Sequence, residues 1–163
     1  MYIKVQFDGG NIKMCTTYKA YDIVLKVLEE KTCYDVVTKV DELKEFINRT
    51  IKPYNFPDER VYVIAFDVKG MPIGYVEHSR GSVNCSMIDI PQIFKFALLC
   101  NASSIAVTHN HPSGDITPSL EDQEVTKAIF AACEIMKITM LDHIITSPTG
   151  DYYSFREKEL CPF

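Results

Sequence analysis

No apolar run in this chain is long enough to cross a membrane; stretches such as residues 96–99 and 105–107 break off after a few positions, where a spanning helix needs about 20. The opening MYIKVQFDGG also lacks a long apolar signal segment. A cytoplasmic protein with no membrane partner is therefore expected. No CxxC pair occurs among the six cysteines, at positions 15, 33, 85, 100, 133 and 161, and several lie in apolar runs, so they read as reduced core filler. Positive charge is in short supply: the net charge is -5, and residues 60–163 hold 8 basic against 12 acidic groups, or -4. A DNA-binding domain normally carries a basic footprint, so nucleic acid is not supported by charge. Internal repeats and low-complexity tracts are missing as well.

What is present suits one packed unit. Hydrophobic residues make up 47% of the 163 positions and charged residues 24%, a globular composition with room for one core and a small appendage. Residues 3–7 alternate as a strand and meet Asp8-Gly9-Gly10, a turn signal that returns the chain through residues 12–15. Ile23, Val24, Val27 and Leu28 fall at helical spacing, as do Val40, Leu43, Phe46 and Ile47 after the capping-box pattern Thr38-x-x-Asp41. The two-proline segment 52–59 reads as a linker, which divides the chain into an N-terminal hairpin-plus-helices unit, 1–57, of unknown role and a main unit, 58–163.

In the main unit, strands are expected over 60–68 and 73–78, then a helix opened by Asp89 with Ile93, Phe94, Ala97 and Leu98 buried. A strand follows at 104–109, a helix from Ser119 with apolar positions Val125, Ile129, Ala132, Cys133 and Met136, and strands at 138–145 and 152–155. Mixed strands and helices in this order predict an α/β (α+β, mixed) fold with a central sheet flanked by helices.

His109 and His111 are one residue apart. In an extended strand their side chains leave the same face about 7 Å apart, close enough to converge on one metal ion. Ser119 follows at a helix start and Asp122 lies three residues further, offering a carboxylate as third ligand. Three protein ligands leave zinc an open position for water, as in catalytic sites. Ser119-x-x-Asp122 is equally a capping box, and a His-x-His pair alone is a weak signal. Asp115 offers a second ligand set, H-x-H-x3-D, although its Ser-Gly-Asp turn favours a bond to its own backbone. His143, inside an apolar strand, suits a structural hydrogen bond better than a metal. His78 points away from the face used by its neighbour Glu77. Ser113 has no G-x-S-x-G elbow around it.

Taken together, His109-Asn110-His111-Pro112-Ser113-Gly114-Asp115 and Pro118-Ser119-Leu120-Glu121-Asp122 give H-x-H-x7-S-x2-D. This resembles the JAMM motif of MPN-fold (JAB) metallopeptidases. The words HNHPSGD, TPS and Leu141-Asp142-His143-Ile144-Ile145 are similar to its RadC-like branch, and the match runs from about Glu59 to Phe155. The resemblance implies a cytidine deaminase-like mixed sheet and one Zn2+ per chain on His109, His111 and Asp122. It also implies that Ser119 stabilises an oxyanion and that an upstream strand glutamate, best matched by Glu77, is the general base.

Three functions follow from these readings. The first is a zinc-dependent metallopeptidase or isopeptidase that cleaves an amide bond in a peptide or protein conjugate. The second is a RadC-like DNA-repair or DNA-associated factor, against which stand the acidic balance and the missing G-x-G helix-hairpin-helix signal. The third is a catalytically silent MPN protein-binding module, against which stands the complete ligand set.

Overall fold

The computed structural model describes residues 2–8, 11–17, 36–81 and 88–159. Strands β1 (Tyr2–Asp8) and β2 (Asn11–Thr17) form an antiparallel pair with Tyr2 opposite Thr17 and Asp8 opposite Asn11, the hairpin expected there. The helix expected around Ile23 to Leu28 lies outside the described residues.

Five strands make the main sheet: β3 (Arg60–Phe66), β4 (Pro72–Arg80), β5 (Ser104–Asn110), β6 (Thr139–Thr146) and β7 (Tyr152–Ser154). Their order is β4-β3-β5-β6-β7. β3 runs antiparallel to both neighbours, β5 and β6 are parallel, and β7 closes antiparallel on β6. A parallel pair needs a crossover; here it contains helix α3 (Leu120–Met136). The element order matches the expected one, and the result is a mixed sheet flanked by helices.

The reason β3 reads as an unbroken apolar run is that both its faces are covered. Val61 and Val63 join Ile105 and Val107 under α3 and α2 (Ile90–Leu99), against Ile93, Phe94, Ala97, Ile129 and Cys133. Tyr62, Ile64 and Phe66 face the other way with Ala106 and Ile144, against Leu43, Phe46, Ile47 and Ile51. Each fully buried side chain of this size is worth roughly 1.5–3 kcal/mol. Residues 37–51, including α1 (Val40–Phe46), thus share a core with the sheet. Gly70 ties that segment to the β3–β4 turn: its carbonyl accepts from the Val37 amide at 2.9 Å, its φ is +79°, and a Cβ there would lie 2.6 Å from the Val37 oxygen.

Two local expectations change. The box at α1 closes on Glu42 and not on Asp41, because the helix begins one residue later than the pattern suggests. Glu42 Oε2 accepts from the Thr38 amide and hydroxyl and from the Lys39 amide at 2.7, 2.9 and 2.9 Å, while Asp41 pairs with Lys44 at 3.0 Å. Leu98, expected inside, is 52% exposed, and Met136, an apolar position of α3, is 39% exposed, since each helix buries a narrower stripe than its apolar residues span. Cys133 is buried and Cys100 half-buried, both as free thiols. No described helix is long and apolar enough to cross a membrane.

Candidate metal centre

Strand alternation decides which carboxylates can reach the histidines. His109 lies opposite Val61 in the β3–β5 ladder, so its ring is on the sheet face covered by α2 and α3. His111 leaves the same side just past the strand end. Glu59 stands two residues before Val61 and shares that side. α3 enters over this corner, and its buried stripe begins with two polar residues, Asp122 and Thr126, before turning apolar at Ile129 and Cys133. One ligand atom each from Glu59, His109, His111 and Asp122 lie within 4.8 Å of one another.

The donor set suits a small divalent ion. His109 Nε2 and His111 Nε2 are 3.0 Å apart, His109 Nε2 and Asp122 Oδ1 3.4 Å, and His111 Nε2 and Asp122 Oδ2 3.6 Å. A tetrahedral ion with bonds of about 2.0–2.1 Å separates its ligand atoms by about 3.4 Å. The other ring nitrogens are already engaged: His111 Nδ1 lies 2.6 Å from the Asp115 carbonyl and His109 Nδ1 lies 2.8 Å from His143 Nε2. Both Nε2 atoms are therefore turned toward the carboxylates.

Without an ion the electrostatics put a proton in the same place. Burial holds His109, 1% exposed, down at about 4 and so neutral. His111 is pushed up, chiefly by its bond with Asp122 and in part by Glu59. Burial alone would raise the Asp122 carboxyl, but His111, His109 and Ser119 together hold it far below the usual carboxylate range. For the two Nε2 atoms to bond at 3.0 Å one must carry a proton, and the upward shift of His111 beside Asp122 favours that ring as the donor.

Ser119 caps α3 and belongs to this corner: its amide and hydroxyl donate to Asp122 Oδ2 at 2.8 and 2.6 Å, and its Oγ accepts from the Asp122 amide at 3.0 Å. Glu77 is not brought in. It pairs with Tyr62, whose side chain faces the α1 side of the sheet, and its carboxylate is held by Tyr62, Arg60 and Arg80 at 3.1, 3.1 and 2.9 Å. The carboxylate at the histidines is Glu59, which the sequence reading missed. Its available signal was position: Glu59 opens a buried strand in phase with Val61, whereas Glu77 sits on β4 at the sheet edge.

Asn110, between the two histidines, points to the opposite face and fastens the segment that carries Glu59. Its Oδ1 accepts from the Arg60 amide at 2.9 Å, and its Nδ2 donates to the carbonyls of Asp58 and Phe56 at 3.0 and 3.3 Å. Asp115 uses its carboxylate on the Thr117 amide at 2.9 Å, as its turn suggested. Ser113 Oγ accepts from the Asp115 amide at 3.4 Å. His78 Nε2 accepts from the Asp89 amide at 3.0 Å at the start of α2.

A helix-flanked mixed sheet with two histidines and two carboxylates at the mouth of its central strands defines a domain able to hold a metal ion. The chain belongs to the RadC-like JAB domain family, whose model matches residues 37–160. It is similar to UPF0758 proteins of Actinobacillus succinogenes (44% identity over 157 residues, 94% of this chain and 70% of that protein) and Coprothermobacter proteolyticus (33% over 158 residues, 94% and 67%). A third, from Thermotoga maritima, is 37% identical over 127 residues, 74% of this chain and 57% of its own length. The chain spans only about half of some curated relatives, 46% for that of Chlorobium chlorochromatii. Family and ligand group together fit a metal-dependent hydrolase.

Proposed function

We propose that this chain is a zinc-dependent amide hydrolase of the metallopeptidase or isopeptidase type, acting on a peptide or protein conjugate. His109, His111 and Asp122 hold the ion and Glu59 is the general base. The observation that carries the reading is the convergence of four ligand atoms within 4.8 Å with both histidines turned to offer Nε2.

Bound there, a divalent ion would polarise a substrate carbonyl and lower the pKa of a water from roughly 16 toward about 7. The rest is done by the chain. A Glu59 carboxylate oxygen, beside the ligands and half-buried, takes the proton of the attacking water and later delivers it to the leaving amine. Asn110 keeps Glu59 in register by bonding the peptide groups on either side of it. Ser119 holds Asp122, and its hydroxyl must turn from Oδ2 to assist a developing oxyanion, a contact worth on the order of a hundredfold in rate.

The test is metal content of the chain purified without chelators, together with cleavage of a panel of peptide and isopeptide substrates before and after chelation. About one zinc per chain and chelator-sensitive cleavage support the reading. A metal-free chain that does not take up zinc would sink it.

A further inference from the structure

Behind His109 a fully buried set of polar groups is left over from the ligand group. His143 is 0% exposed and Thr126 is 0% exposed. The His143 ring stacks on Phe155 at 4.9 Å and 11°, which fixes its plane. Its Nε2 lies 2.8 Å from His109 Nδ1 and its Nδ1 lies 2.6 Å from Thr126 Oγ1. Thr126 Oγ1 is in turn 2.5 Å from the backbone carbonyl of Asp122.

The direction of each bond follows from the far end. A carbonyl can only accept, so at this distance the single hydroxyl proton of Thr126 goes to Asp122. Thr126 Oγ1 then has only lone pairs for His143, and His143 Nδ1 must be the donor. A neutral imidazole has one N–H, which leaves His143 Nε2 as an acceptor and requires His109 Nδ1 to donate. His109 Nε2 is thereby left bare. We infer that Thr126 and His143 are positioning residues that lock His109 in its Nδ1–H tautomer, so that Nε2 faces the candidate metal centre as a ready lone pair.

Reversing the chain places two acceptors, Thr126 Oγ1 and the Asp122 carbonyl, against each other inside the core, where an unmade hydrogen bond is heavily penalised. The same residue therefore acts twice: the Asp122 carboxylate faces the site directly, and its carbonyl sets the tautomer of His109 through two intermediaries. Metal-bound histidines commonly bond a partner through their other nitrogen. Here that partner is itself oriented by the ligand helix.

The tautomers stand independently of any metal, whereas their effect on affinity rests on the hydrolase reading above. Imidazole nitrogen–proton correlation spectra of the metal-free full chain should show both His109 and His143 protonated at Nδ1 and bare at Nε2. Thr126→Val should free His143 to reverse, shift His109 to Nε2–H and weaken zinc binding by about tenfold to hundredfold in competition with a chromophoric chelator. Thr126→Ser should restore both. A purely structural threonine would lower the melting temperature and leave the tautomer unchanged. Wild-type His109 in the Nε2–H form, or Thr126→Val binding zinc as tightly as wild type, overturns the inference, and the wild-type spectrum decides even if the valine variant does not fold. Predicted tautomers in a chain that ignores zinc would uphold the lock and remove the metal reading.

Discussion

Asp122 Oδ2 accepts from both the amide and the hydroxyl of Ser119, at 2.8 and 2.6 Å, while Asp122 Oδ1 stands 3.4 Å from His109 Nε2. Helix cap and metal ligand are therefore not rival roles for this carboxylate. The cap aims it: with Oδ2 tied to the first turn of α3, Oδ1 faces the histidine. Asp122→Ala should abolish zinc binding and, measured separately on the chelator-treated chain, lower stability by about 1 kcal/mol through the lost cap. Full zinc occupancy in that variant would reduce Asp122 to a cap alone.

The two glutamates separate by function. Glu59→Gln should retain zinc and lose amide cleavage by about 100- to 10,000-fold, the scale of a lost general base. Glu77→Gln should keep both, because its carboxylate lies with Arg60 and Arg80 on the other side of the sheet; losing part of that semi-exposed network is worth about 1 kcal/mol or less. The reverse pattern, with Glu77→Gln inactive and Glu59→Gln active, would return the base to β4.

Asn110 couples the histidine strand to the Glu59 segment. Removing its side chain leaves the Arg60 amide and two carbonyls without their partner, which costs about 1–3 kcal/mol for each group that stays buried and unpaired. Asn110→Ala should therefore lower the denaturant midpoint and the cleavage rate together while zinc content holds, since His109 on β5 and His111 just past its end, tied by its amide to the Thr146 carbonyl, keep their places. Loss of zinc without loss of stability would argue against this division of labour.

Acid should destabilise the metal-free chain. Burial holds His109 at about 4, from an ordinary 6.5, and lowers His143 well below 6.5. As pH falls from 6.5 toward 4 the unfolded chain gains these protons first, so stability present above 6.5 is lost, at up to about 1.4 kcal/mol per pH unit for each ring. His111 has the opposite sign, because its raised pKa adds stability below 6.5 that is lost as pH rises. That change falls above 6.5, outside this window. The melting temperature measured in chelator should fall between pH 6.5 and 4, and a flat or rising profile would contradict the buried, neutral state of His109 and His143.

Much of this was readable in the chain itself. His109, His111, Ser119 and Asp122 are close in sequence, and a strand end followed by a capped helix determines their geometry locally. The order of strands and helices from Arg60 onward followed from alternation and caps for the same reason. Glu59 was readable only as the residue that opens a buried strand in phase with Val61; that it meets the histidines depends on the pairing of β3 with β5, which sets Val61 opposite His109. His143 was assigned a structural hydrogen bond without its partner, since the meeting of β6 with β5 and α3 is a tertiary fact. The α1 box closes on Glu42 because the helix starts one residue later than Thr38-x-x-Asp41 suggests, a shift that two adjacent acidic residues leave open in the sequence.

The central claim is a metal ion held by two imidazoles and a carboxylate, and X-ray absorption at the zinc edge of the purified wild-type chain tests it most directly. The account predicts nitrogen and oxygen neighbours at about 2.0–2.1 Å, with an imidazole pattern from two rings and no sulfur shell. Sulfur neighbours at about 2.3 Å, or no imidazole signature at all, would contradict it.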